Sequence, residues 1–389
     1  MVPAMPNKAS QLIERARALT PLLAEHAAEA ERLRRPHDAV MAALEEAEIF
    51  KLMVPRDRGG LELDLDTFLE VGLALAEGDA SMAWVTTFYI EHCWMFCHFP
   101  EAFQKEVFAD RSYVLAPAAI AVAGTAQPVD GGFRLSGRWQ WGTGAMHAQW
   151  VIVGARVEDP NNELDFRFFA MRPTEVTIDD TWYVDGMVAT GSNDIVIEDL
   201  VVPEERTASI IAMSSGQGLG AKLYESPLYN TPMIPILGLA AAMPAVGQAK
   251  AAVQRFREFM TERILYGTET KQADKPAAQM RLARAEIEAR QAELLLREVV
   301  AEIMELRNRA TPIDRTRWLG CYAYAVDQSK RVLQSISEAS GAHAHFLSHP
   351  LQRAVRDANT MACHAIFDLD SRLENMGRTM LGLEPEGIL

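Results

Sequence analysis

Cysteine is scarce. Cys93, Cys97, Cys321 and Cys363 are the only four in 389 residues. They are too few and too scattered for a disulfide framework, and they fit a reducing cytoplasm. Basic charge is short as well: 38 Lys and Arg stand against 53 Asp and Glu, a formal net charge of −15. That balance argues against a nucleic acid or an anionic membrane surface as the main partner. No apolar run reaches membrane-spanning length; Leu237–Val246 is short and contains Pro244. The first ten residues have no apolar stretch of the secretory kind. No G-x-G-x-x-G follows a strand and no phosphate-loop motif appears, so no nicotinamide-binding unit is expected. Internal repeats and low-complexity segments are also missing.

What is present reads as globular: 49% apolar and 23% charged residues. The length suggests two or three packed subdomains. Residues 1–112 read as an N-terminal helical domain. Ser10 could cap a first helix running to about Arg34, Pro36 opens a second, Leu61–Glu77 is a third, and Asp79 or Ser81 could cap a fourth from Met82 to about Phe99. Residues 113–212 read as a central β domain. Asp130-Gly131-Gly132 is a hairpin signal, and Phe133–Trp141 alternates apolar and polar residues. Tyr113–Ala123, Trp150–Val157, Phe166–Met171, Val176–Ile178, Trp182–Val184, Asp194–Ile197 and Leu200–Val202 supply further short strands. Residues 213–389 read as a four-helix bundle: Ile236–Arg263, Pro276–Arg309, Arg315–Ser340, and a last helix from about His349 through Asp370. The expected class is α+β in the order α, β, α.

Two stretches carry candidate chemistry. In the last helix, Asp357, His364 and Asp368 fall roughly on one side at a 3.6-residue period. A neutral imidazole beside an acid can move a proton near neutral pH, although a packing His with surface carboxylates is the plainer reading. In the fourth helix, Trp84, Phe88, His92 and Met95 step by four, four and three and share a face. They are either a core stripe or the wall of an apolar pocket with one polar group. His92, Cys93, Cys97 and His98 cluster in sequence, but among Trp94, Met95, Phe96 and Phe99 they read as buried small side chains, and no metal is expected.

Several motifs in order resemble the acyl-CoA dehydrogenase fold: Ser136-Gly137-Arg138-Trp139-Gln140-Trp141-Gly142-Thr143-Gly144, Gly191-Ser192 leading to Pro203, Arg263-Ile264-Leu265-Tyr266-Gly267, and Arg356-Asp357-Ala358. Dehydrogenases of that fold need a carboxylate base. Its common position here holds Ala365, and Leu228–Ala252 contains no Asp or Glu. The chain is instead similar to the oxygenase components of two-component flavin monooxygenases, with His364 followed by Phe367-Asp368-Leu369-Asp370 and a tail of Met380-Leu381-Gly382-Leu383-Glu384-Pro385. The resemblance covers nearly the whole chain.

That resemblance implies reduced flavin (FADH2 or FMNH2) delivered by a separate reductase, O2 as co-substrate, a C4a-hydroperoxyflavin, and hydroxylation of a phenolic or indolic ring. It places His364, His92 and Thr143 in catalysis. Trp141, Thr143, Gly144, Arg263, Ser340, Gly341 and His364 would hold the cofactor, with Arg263 serving a neighbour's flavin in a homotetramer. Trp84, Phe88, His92, Met95, Val114, Met233 and Ile234 would line the substrate pocket. Val114 and Ile234 stand where some members have a serine and an arginine, which implies a more apolar pocket. The alternatives are a flavin dehydrogenase of acyl thioesters and a non-catalytic flavin or aromatic-ligand binding protein.

Overall fold

The computed structural model describes residues 7–158 and 165–387. Five helices come first: α1 (Lys8–Leu33), α2 (Asp38–Glu46), α3 (Leu65–Ala76), α4 (Ala80–Phe96) and α5 (Glu101–Val107). Asn7, rather than Ser10, caps α1: its Oδ1 accepts the Ser10 N–H at 2.8 Å. Asp79 caps α4 by accepting the Met82 N–H at 2.9 Å, one of the orphan donors of a helix start. The second and third helices begin later than their apolar patterns suggest, because His37 and Asp64 supply the caps.

Among the described residues seven strands follow: β1 (Ala118–Val129), β2 (Gly132–Gly142), β3 (Val151–Val157), β4 (Asp165–Met171), β5 (Thr177–Asp179), β6 (Asn193–Pro203) and β7 (Thr207–Ser209). They form one sheet in the order β5-β6-β2-β1-β3-β4-β7. The β1–β3 pair is parallel, and the other pairs are antiparallel.

Three sequence expectations need correction here. Strand β1 starts at Ala118, not Tyr113, because the backbone of Val114 and Ala116 is bonded to side chains of α4. Trp182–Val184 is not a strand. The Thr181 and Trp182 N–H groups donate to Asn193 Oδ1 at 3.1 Å each, and the indole donates to Met187 O at 2.9 Å, so side-chain bonds replace a ladder. Asp194–Ile197 and Leu200–Val202 are one strand, β6. It passes through Asp199 at φ 55°, with a register shift opposite Leu135 and Gly137, the mark of a β-bulge.

The rest is helical: the short α6 (Ile210–Ser214) and α7 (Gly220–Leu223), then α8 (Met233–Glu262), α9 (Pro276–Leu306), α10 (Pro312–Ser340), α11 (Pro350–Ala362) and α12 (Leu369–Met380). Among the described residues, α8 alone is long and apolar enough to cross a membrane, but 89% of that apolar window is buried inside the protein. It is the bundle's central helix, packed by α3, α4, α9 and α10.

The stretch Arg353–Asp370 is not a single helix. Helix α11 ends at Ala362, a 3-10 turn spans Ala365–Phe367, and α12 begins at Leu369. His364 is the cause: its backbone is extended (φ −65°, ψ 136°), and its own ring nitrogen takes the Ile366 N–H. Such a local bond competes with helix continuation. Asp357, His364 and Asp368 therefore do not share a side. Asp357 is buried and accepts the Met187 N–H at 2.5 Å, whereas Asp368 is exposed and accepts the Ser371 hydroxyl.

Candidate active site

Helix α4 builds one wall. Trp84 and Phe88, four residues apart, stack with ring centroids 4.7 Å apart. The His92 ring meets Phe88 edge-on at 5.6 Å. At the other end, His364 meets Trp84 edge-on at 5.6 Å. Two histidines far apart in sequence thus close the ends of one aromatic row. Such ring pairs contribute about 0.5–1.5 kcal/mol each beyond their buried area. Phe88 is half-buried, in contrast to the buried Trp84 and His92 on either side. Met95, Val114, Met233 and Ile234 are buried in the main core. Val114 touches α4 through its backbone: its N–H reaches Cys93 Sγ at 3.3 Å, and its carbonyl takes the Cys93 thiol at 3.2 Å. Burial pushes the Cys93 thiol up to about 12.

The two histidines are held in opposite tautomers. His364 Nδ1 lies 3.3 Å from the Ile366 N–H and accepts it, so the ring proton sits on Nε2. Burial, and then the nearby Arg372, lowers its pKa to about 4, so the ring is neutral at ordinary pH. His92 Nδ1 lies 2.6 Å from the Ala116 carbonyl, which can only accept, so the ring proton sits on Nδ1. Its Nε2 lies 2.9 Å from Glu91 Oε1. Glu91 is fully buried, and that contact, though short, is out of line for a hydrogen bond from the ring. Both carboxyl oxygens lack a hydrogen-bond partner among the described residues. Burial raises the carboxyl above its usual range. Sequence reasoning missed Glu91. The available signal was a single acid in the 17 residues of α4, next to the candidate His.

The turn after β2 lies against the same helix. Tyr89, next to Phe88, donates its hydroxyl to the Gly144 carbonyl at 2.5 Å. Gly144 sits at φ 76°, and a Cβ there would come within 2.3 Å of that hydroxyl, so only glycine fits. Trp141 is the unusual residue: φ is 69°, and the side chain is 59% exposed. A bulky residue in the left-handed region costs energy and marks sites held for function. Thr143 Oγ1 lies 3.0 Å from Ser192 Oγ, which lies 2.7 Å from Thr190 Oγ1, a chain of three buried hydroxyls. An exposed indole beside hydroxyls is a fitting cradle for a flat heteroaromatic cofactor with polar edges, so these residues suit a flavin.

Arg263, Ser340 and Gly341 come together elsewhere, at the C-terminus of α10. Arg263 Nη1 donates to the Ala339 and Ser340 carbonyls at 3.1 and 2.9 Å and to Gln272 Oε1 at 3.2 Å. Gly341, at φ 69°, leaves the room that Arg263 Nη2 occupies. A cavity of about 110 Å³ nearby is lined by Phe256, Phe259, Ser340 and His349. A third cluster, His26, Glu29 and His37, brings three ligand atoms within 4.8 Å. His37 Nδ1 already accepts the Ala39 N–H at 3.2 Å, which leaves Nε2 protonated toward Glu29 at 3.3 Å. That arrangement holds a proton and leaves His37 no free lone pair for an ion.

Residues 239–369 match the family model described as acyl-CoA dehydrogenase, C-terminal domain. The chain is 33% identical, over 96% of its length and 97% of the relative's, to a pigment production hydroxylase from Rhodococcus sp.. It is 29% identical, over 99% and 97%, to the oxygenase component of an FADH(2)-dependent resorcinol hydroxylase from Rhizobium sp.. Among solved structures, XiaF from Streptomyces sp. in complex with FADH2 and glycerol superposes with a TM-score of 0.91, at 31% identity over 98% of both chains. The chain belongs to the flavin-dependent monooxygenases of acyl-CoA dehydrogenase fold. It is the oxygenase component of a two-component system: a separate reductase component supplies reduced flavin, and the substrate to be hydroxylated is aromatic. The acyl-thioester dehydrogenase and the non-catalytic binding protein are thereby set aside. In this monooxygenase the matched segment runs from α8 to the start of α12 and includes both Arg263 and His364.

Proposed function

We propose that the row His364–Trp84–Phe88–His92 faces the substrate, and that the substrate is a phenol or an indole. One observation carries this: the histidines at the two ends of the row have opposite tautomers. His364 presents an N–H, and the His92 end presents a lone pair shared with Glu91. A ring bound along Trp84 and Phe88 would meet a donor at the oxygen-transfer end and an acceptor at its own O–H or N–H. Removing that proton raises the electron density of the ring, as electrophilic oxygenation requires. When bound, reduced flavin supplies the electrons and activates O2. Thr143 would bond the flavin edge, flanked by Trp141 and Gly144. His364 would donate from Nε2 to the oxygen to be transferred. The walls would keep water out.

Met95, Val114, Met233 and Ile234 would make the remaining lining apolar and favour neutral over acidic substrates. Arg263, Ser340 and Gly341 would hold a flavin phosphate that enters from a neighbouring subunit, within a homotetramer and in the cytoplasm. Residues 1–112, 113–212 and 213–389 would act as the three domains that enclose the two sites. A panel of phenols and indoles, supplied with reduced flavin and O2, tests the reading. At least one such compound should give a hydroxylated product with the native chain. Turnover of acidic aromatics in preference to all neutral phenols and indoles would overturn the substrate assignment.

A further inference from the structure

The accepting end of the row contains a group with no other structural employment. Glu91 is fully buried, and neither carboxyl oxygen has a hydrogen-bond partner among the described residues. Burying a bare carboxyl costs several kcal/mol, so a carboxyl kept in such a place needs a reason.

Glu91 follows Phe88 by three residues and precedes His92, so it lies on the row's side of α4. Thr87 Oγ1 donates to the Ala240 carbonyl at 2.9 Å, and Trp94 Nε1 donates to the Leu228 carbonyl at 3.3 Å. Helix α4 therefore packs against α8 and against the turn Pro227–Asn230 before it, and Glu91 lies between these two contacts in sequence. The loop before β1 meets His92 and Cys93 through the backbone of Ala116 and Val114. Titratable neighbours are His92 and the Cys93 thiol, which is tied to Val114.

The proton count is constrained. Nδ1 of His92 carries a proton because a carbonyl faces it. Two bare lone pairs on Nε2 and Oε1 would repel at 2.9 Å, so one of the two groups holds a proton, although the contact is out of line for a hydrogen bond. The resting pair is then neutral overall, which its burial requires. Whichever of the two holds it, Glu91 Oε2 keeps a lone pair to receive a second proton.

We propose that the base at this end is the Glu91–His92 pair, and that Glu91 Oε2 is the atom that receives the proton of the substrate's O–H or N–H. As that bond breaks, its electron pair stays on the substrate. The proton that the pair already holds stays within it. A neutral pair becomes a cation facing the new phenolate or indolide, with no electron transferred. The proposal rests on the reading of the row as the substrate wall.

The probe is 4-nitrophenol, whose ionised form absorbs in the visible, added to the full-length protein without flavin. In the native protein, bound nitrophenol should ionise at a lower pH than in water. Glu91→Gln should bind it and lose that shift. With reduced flavin and O2, the same variant should hydroxylate weakly acidic phenols about a hundredfold more slowly or worse. Phenols already ionised at the assay pH should lose much less. Should Glu91→Gln fail to fold, Glu91→Asp draws the carboxyl away from Nε2 and should lose the shift as well. Nitrophenol that binds the native protein with unshifted ionisation would overturn the role of Glu91 and leave the pocket standing. Failure of nitrophenol and other phenols to bind at all would overturn the pocket, and this proposal with it.

Discussion

At the scale of single residues, the row on α4 was legible because its signal is periodic. A helix repeats every 3.6 residues, so Trp84, Phe88 and His92 had to share a face. His364 was legible by type and position, but its surroundings were not. The carboxylates nearest in sequence, Asp357 and Asp368, turn elsewhere, and its neighbour is Trp84, which no local pattern indicates. Glu91 escaped because its importance lies in a missing partner, and only a three-dimensional inventory of hydrogen bonds reveals that. His364→Asn should still bind flavin and consume O2 but lose coupling: product per O2 should fall at least tenfold and H2O2 rise, since a positioned donor is worth about two powers of ten or more. Peroxide titration beside product analysis checks this, and a fully coupled variant would return His364 to a packing role. Thr143→Val should act in the same direction, because it cuts the chain Thr143–Ser192–Thr190 at its outer hydroxyl. The same peroxide measurement applies.

At the scale of elements, α4 is held in place by acids. Asp79 caps its start, Arg353 of α11 approaches Asp79 at 3.5 Å, and Asp357 binds the Met187 backbone. Burial, and then the charge of Asp79, raises the Asp357 carboxyl to about 7, against the pull of the Met187 N–H, Arg353 and Arg356. The folded state therefore binds this proton more tightly than the unfolded chain does. The stabilisation is fully present below about pH 4 and is lost as pH rises through about 7. Asp357→Asn keeps an acceptor for Met187 and cannot ionise. Its Tm relative to the native protein should improve steadily between pH 4.5 and 8, as followed by calorimetry. A constant difference would show that Asp357 does not titrate in that range. The elements themselves were mostly visible in the sequence, with caps misplaced by a few residues. The failures share a cause: at Trp182 and at His364, a side chain bonds nearby backbone and interrupts what the apolar pattern would continue.

At the scale of the whole molecule, the order of helices, sheet and bundle was readable from the change of period near residue 113 and again after residue 212. The single seven-stranded sheet was not, since strand order depends on pairings between distant segments. The monooxygenase works with a reductase component, so the purified chain should not oxidise NADH, even with free flavin present, yet should form product when reduced flavin is supplied. The assembly is expected to be a tetramer by light scattering. Arg263→Ala should weaken flavin binding severalfold while leaving the fold intact, because the arginine's present partners are the carbonyls that end α10. Unchanged flavin affinity would place the phosphate elsewhere.

The break between α11 and α12 gives His364 a lever arm. Helix α12 lies on α10, with Thr379 Oγ1 held 2.8 Å from Thr316 Oγ1 at its far end. Nearer the joint, a Cβ on Gly320 would sit 3.2 Å from Met376 Sδ, close enough to push. Gly320→Ala would press on Met376, which must give by a few tenths of an ångström, about two helical turns from the joint. In the proposed site, the position of His364 is thus linked to a small residue that touches neither ring nor cofactor, well outside the pocket.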